Sequence, residues 1–115
     1  MNGVEIYDAT KAGYEPAMNY GEWRVAYITH SHGFSKEGWR RIERHTKTDE
    51  VFVLLNGSAR LIIGEEKEIV EMQQGKIYNV TCGTWHHIFA DEGSKVLIVE
   101  NHNTGADNTD YIYLD

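Results

Sequence analysis

Residues 51–63 read V-F-V-L-L-N-G-S-A-R-L-I-I: two short apolar runs, Val51–Leu55 and Ala59–Ile63, on either side of Asn56-Gly57. Each run is too short for a helix and rich in β-branched or aliphatic residues. Asn-Gly tolerates the positive φ of a two-residue turn, so the stretch reads as strand, turn, strand, a hairpin.

The same punctuation extends in both directions. Eleven glycines stand against one proline, Pro16, and between the glycines lie short β-branched and aromatic segments. No stretch of helical length carries a 3.6-residue apolar period. Strands are predicted at Trp23–Thr29, Trp39–His45, Val51–Leu55, Ala59–Ile63, Glu68–Glu71, Ile77–Val80, His86–Phe89, Val96–Glu100 and Tyr111–Leu114. Further reversals are expected at Gly64–Lys67 and Asp91–Ser94. So many short strands in 115 residues favour a barrel or sandwich over an open sheet with exposed edges. The expectation is one all-β domain over residues 1–115. The first twenty residues read either as an added edge strand or as a segment lying across the barrel, and residues 101–110 as a polar loop.

Charge and composition narrow the function. Eighteen acidic against eleven basic residues give a formal net charge of −7, which argues against nucleic acid or an anionic membrane as the main partner. The exception is the cationic group Arg40, Arg41, Arg44 and Lys47, read either as a solvated strand face or as a seat for an anionic small molecule. The single cysteine, Cys82, excludes an intramolecular disulfide and is expected to be small and buried. No basic segment followed by an apolar one opens the chain, so a cytoplasmic location is expected.

Two segments resemble the paired motifs of the cupin superfamily. In the first, Gly57 follows Glu50 after six residues, and Glu50 follows His45 after four. Glu43 occupies the position where the family carries another histidine, and Gly38 stands one residue closer than the pattern asks. In the second, Gly75, Gly83 and His86 fall in place, with Thr81 replacing a proline and Ala90 an asparagine. The segments span residues 38–57 and 75–90, with 17 residues between them. The resemblance implies a double-stranded β-helix, or jelly-roll barrel, holding one divalent metal ion (Zn, Mn, Fe, Ni or Co) on His45, Glu50 and His86. For Glu43 two readings stand: a fourth ligand or general base, or an ion-pair partner of Arg41 or Arg44 that leaves three ligands. Family members use such arms to dimerise, so a homodimer is expected.

Strand alternation puts Trp39 and Arg41 on the same side as Glu43 and His45. Arg41 then reads as a two-pronged donor to a carboxylate or phosphate, and Trp39 as an apolar wall. Tyr27 and Tyr78 are further candidate pocket donors, but bulk strand packing is the first reading for both. His30 and His32, with Glu37 four residues on, imitate half of the first motif. They lack the following glycine and apolar strand, and are assigned to a loop. His87 is expected to point away from His86. A fold of this kind does not choose a reaction. The resemblance leaves open a metal-dependent isomerase, lyase or dioxygenase acting on a small polar, anionic metabolite of sugar or keto-acid type. It equally leaves open a non-catalytic small-molecule binder or sensor, and a mainly oligomeric barrel with a degenerate site.

Overall fold

The computed structural model describes residues 2–115. Ten strands follow one another: β1 (Gly13–Tyr20), β2 (Trp23–Thr29), β3 (Arg41–His45), β4 (Glu50–Asn56), β5 (Ala59–Ile63), β6 (Glu68–Glu71), β7 (Ile77–Val80), β8 (His86–Ala90), β9 (Lys95–Asn101) and β10 (Thr109–Tyr113). They form two antiparallel five-stranded sheets, ordered β1-β2-β9-β4-β7 and β10-β3-β8-β5-β6. Among the described strands, only β1–β2 and β5–β6 are sequence neighbours paired in one sheet. Every other connection carries the chain across to the opposite sheet, which is the winding of a jelly roll. β1 stands at the edge of its sheet, and no described helix is long and apolar enough to cross a membrane.

The stretch at residues 51–63 does form two strands, but they are not a hairpin. β4 bonds to β7 and β9, whereas β5 bonds to β6 and β8 in the other sheet. Both runs carry a face to be buried, Phe52 and Leu54 on β4 and Ala59 and Leu61 on β5. Turning a corner lets those faces meet across the core, whereas a flat hairpin sets them side by side. Gly57 (φ +85°) makes the corner. A Cβ there would lie 2.3 Å from Ser94 Oγ and 2.7 Å from Ser94 Cα. Ser94 Oγ accepts from Ser58 N–H (2.8 Å) and donates to Ser58 O (2.7 Å), so this corner is fastened to the one between β8 and β9. Gly64–Lys67, by contrast, closes a true β5–β6 hairpin.

Period-2 burial fills the space between the sheets. On β4 the buried positions are Glu50, Phe52 and Leu54, and on β9 they are Val96, Ile98 and Glu100. At one end of the barrel, therefore, the inward rows change from aliphatic side chains to carboxylates.

A second apolar cluster covers the other side of β8. His87 stacks on Phe34 (centroids 6.0 Å apart) and on Trp39 (5.7 Å), with Phe89 edge-on at 5.5 Å. Its Nε2 is buried without a hydrogen-bond partner among the described residues. Burial dominates its titration and pushes the imidazole down to about 4. Below pH 6.5 the unfolded chain binds a proton at His87 that the folded chain refuses. Stability is therefore lost as pH falls from 6.5 to about 4, by about 2 kcal/mol once partial exposure is allowed for. Urea titrations of chelator-treated protein at pH 7 and 4.5 should show His87→Phe losing less stability on acidification than the parent. Equal losses would mean that His87 does not carry the effect.

Candidate metal centre

His45 ends β3, Glu50 opens β4 and His86 opens β8, so two turns decide whether the three side chains meet. Those turns are strapped together. Gly83 N–H donates to His45 O (2.8 Å), and Cys82 N–H donates to Asp49 Oδ1 (2.8 Å). Asp49 Oδ2 accepts from the Asn79 amide at 3.0 Å. Glu43 stands directly opposite His86 in the sheet.

The result is a buried knot of imidazole and carboxylate. His45 Nε2 and His86 Nε2 approach the same oxygen, Glu50 Oε1, at 2.9 and 3.0 Å. Glu43 Oε2 lies 3.4 Å from His45 Nε2. The outer nitrogens are oriented too: His45 Nδ1 is 3.0 Å from Thr109 Oγ1, and His86 Nδ1 donates to Thr84 O at 3.0 Å. Holding the far nitrogen in this way presets the ring orientation that a metal ligand needs. Burial pushes the Glu50 carboxyl up, but the bonds from His45 and His86 outweigh it and hold the group at about 2. For His86, burial pushes down, and the bond and charge of Glu50 prevail to raise it.

One residue of this cavity carried no motif signal. Glu100 faces inward from β9, beside Glu50, where an aliphatic residue would continue the row. Its Oε2 accepts from Tyr14 O–H and from Arg24 Nε (3.1 Å) and Nη2 (2.6 Å). Burial first, then the charge of Glu50, pushes the Glu100 carboxyl up. Burial and Glu100 likewise push the Tyr14 phenol up. Arg24 also donates to the carbonyls of His102 and Thr104, both at 3.0 Å, tying the segment after β9 over the cavity. Two overlapping sets of metal-donor groups result, Glu43–His45–His86 and His45–Glu50–Glu100, each with donor atoms within 4.8 Å of one another. The cavity around them measures about 240 Å³ and is also lined by Phe52, Ile88 and Tyr111.

Among solved structures, this arrangement of strands matches a cupin-2 domain protein from Shewanella frigidimarina (TM-score 0.59, 18% identity, 82% of this chain and 85% of that one). It also matches an RmlC-like cupin from Desulfovibrio desulfuricans (0.59, 14%, 88% and 92%). The chain has the cupin fold. Another similar barrel is Pac13, described as a nucleoside dehydratase (0.67, 10% identity, 96% and 92%). A variant of Streptomyces Pac13 solved with uridine superposes equally well (0.68, 10%, 96% and 92%). No family model matches the sequence, and no curated protein matches it.

Within the cupin barrel, the structure brings Glu43, His45, Glu50 and His86 into one cavity. Glu43 makes no ion pair with Arg41 or Arg44 among the described residues; Arg44 instead pairs with Asp110 at 3.0 Å. Arg41 sits beside the cavity, its guanidinium 3.9 Å over the ring of Tyr111 and 3.1 Å from Tyr113 Oη. The other expected pocket residues lie elsewhere. Trp39 precedes β3, so strand alternation does not reach it, and it packs on His87 and Phe89 beside a separate groove. Tyr27 sits between the buried residues Ala26 and Ile28 and therefore faces outward, near Lys95. Tyr78 packs against the core away from the cavity, its Oη accepting from Gln73 N–H. Cys82 is exposed rather than buried, because its backbone is held at the tip of the strapped turn. His30 bonds to Ala90 O and His32 lies in a short turn, both apart from the metal-donor sets.

Proposed function

We propose that this cupin barrel binds one divalent metal ion on His45, Glu50, His86 and Glu43, and takes a small polar, anionic metabolite of sugar or keto-acid type. The observation that carries the reading is the convergence of His45 Nε2 and His86 Nε2 on one buried oxygen of Glu50. Two imidazoles beside two carboxylates form a mixed nitrogen and oxygen donor set suited to Mn, Fe, Co, Ni or Zn. A bound ion of this kind supplies Lewis-acid polarisation to a carbonyl or hydroxyl oxygen of the ligand.

The chain's own groups do the rest. Glu43, half-exposed at the cavity wall, either completes the donor set or takes a proton from the ligand. Arg41 has no carboxylate partner among the described residues and lies against a cavity-lining ring. It is placed to orient an anionic group as a two-pronged donor. Phe52 and Ile88 exclude water on the inner side.

The test is elemental analysis of protein purified without added chelator, followed by sugars, keto acids and uridine presented to the loaded protein. Bound metal and chelator-sensitive conversion are expected. Conversion unchanged by chelation would overturn the metal's role, and binding without conversion would favour a sensor.

The reading includes a homodimer. The outward face of the β1–β7 sheet carries Val25, Val99 and Val51 side by side, then Tyr27, Leu97, Val53 and Ile77. Ile77 is 73% exposed. This apolar stripe, with Glu15 and Lys95 at its border, is complementary to its own copy across a two-fold axis. Light scattering should report a dimer for the parent chain and a monomer for Val53→Glu. A parent that elutes as a monomer at high concentration would refute the interface.

A further inference from the structure

We propose that Glu100 is an additional carboxylate ligand of the metal centre, reaching it from β9, and that adding it to the two imidazoles and the other carboxylates raises the affinity for Mn²⁺ or Fe²⁺ more than the affinity for Zn²⁺. The inference rests on the metal reading above and extends it to a residue outside both motif segments.

Three observations carry it. First, Glu100 and Glu50 are cross-strand neighbours on the inward face. The β4–β9 register pairs Val51 with Val99 and Phe52 with Ile98, and one step further sets the two carboxylates opposite each other. Like charges in that relation are destabilising unless a cation or a shared proton lies between them. Second, both side chains are almost wholly buried, at 7% exposure for Glu50 and 2% for Glu100. Third, the hydrogen bonds to Glu100 all fall on Oε2, and no donor among the described residues reaches Oε1. Glu50 Oε2 is likewise without a donor, both of its imidazole bonds falling on Oε1. The two oxygens that take no bond from an N–H or hydroxyl donor belong to adjacent carboxylates, and donor atoms of Glu50, Glu100 and His45 lie within 4.8 Å of one another.

Charge leads to the same place. Glu43, Glu50 and Glu100 share the cavity, and Arg24 is the guanidinium that faces it. Arg24 and the two imidazoles offset only part of the charge of three carboxylates, and a divalent ion would complete the balance. Tyr14 and Arg24 then act as positioning residues, fixing Oε2 so that the other oxygen stays turned toward the ion. Oxygen-rich donor sets suit harder ions that accept higher coordination numbers, whereas Zn²⁺ is usually four-coordinate with nitrogen and sulfur.

The experiment measures Mn²⁺ and Zn²⁺ dissociation constants by chelator competition, for the parent chain and for Glu100→Gln. Thermal melts of both proteins without metal serve as the control. Expected are one Mn²⁺ per parent chain, and in E100Q an Mn²⁺ affinity at least about tenfold weaker, the size that losing even an outer partner of a ligand produces. Zn²⁺ affinity should change much less. If E100Q does not fold, Glu100→Asp keeps the charge beside Arg24 but withdraws the carboxylate, and the same selective Mn²⁺ loss is expected. Equal loss of both metals, or a lowered melting temperature with unchanged metal affinities, would overturn the inference and leave Glu100 as an anchor for Arg24. Failure of the parent chain to bind any divalent ion would instead overturn the metal reading on which the inference rests.

Discussion

Glu50→Gln is expected to weaken divalent-metal binding by about a hundredfold or more, as seen by titration calorimetry against the parent chain. The size follows from the position of this carboxylate: both imidazoles bond to its Oε1, so no other side chain substitutes for it. The metal-free protein should suffer as well. An amide oxygen in the same place still accepts from both imidazoles, but neither bond is then to a charged group, costing about 2 kcal/mol. Glu43→Gln should cost less metal affinity, because Glu43 is half-exposed and its nearest imidazole nitrogen is 3.4 Å away. Should E50Q retain full affinity, the ion would have to sit away from the two histidines.

The second large effect is structural. Gly57→Ala is expected to destabilise the fold by about 3 kcal/mol, from a left-handed backbone of about 1 to 2 kcal/mol and a steric clash of similar size. A new Cβ would meet Ser94 Cα at 2.7 Å, and backbone cannot move aside as a flexible side chain can. In a chain of this length, such a loss lowers the melting temperature by about 10 °C. Gly93→Ala serves as the comparison: it shares the positive φ (+81°) but has open space around the added methyl. Similar melting temperatures for the two variants would show that contact with Ser94 contributes nothing.

The strands were legible in the sequence because glycine marks their ends and alternation runs through them. What local pattern did not encode was which strands pair. Asn56-Gly57 looks the same whether the chain doubles back in one sheet or turns a corner. The difference lies in Ser94, distant in sequence, which occupies the space beside the glycine. The centre divides in the same way. Glu43, His45, Glu50 and His86 come from two short segments whose spacing betrays them. Glu100, Tyr14 and Arg24 come from β9, β1 and β2, and meet the others only through sheet register. A signal for Glu100 did exist: a carboxylate continues the buried series Val96, Ile98 on β9. Tyr27 and Trp39 were misplaced for opposite reasons. Tyr27 obeys alternation and therefore faces outward, whereas Trp39 lies before the strand in which alternation begins.

The winding that carries nearly every connection from one sheet to the other also sets an order of events. Arg24 and Glu100, 76 residues apart, must be brought together before their row of the β2–β9 ladder exists. Closing such distant pairs is slow, and all-β topologies of this kind fold in milliseconds to seconds. Glu50 and Glu100 lie in one sheet and Glu43, His45 and His86 in the other, so the full donor set exists only after the sheets have closed. An ion therefore arrives too late to guide folding. In stopped-flow measurements, added metal should leave the refolding rate unchanged and slow unfolding, making the ion a latch on the finished barrel and not a template for it.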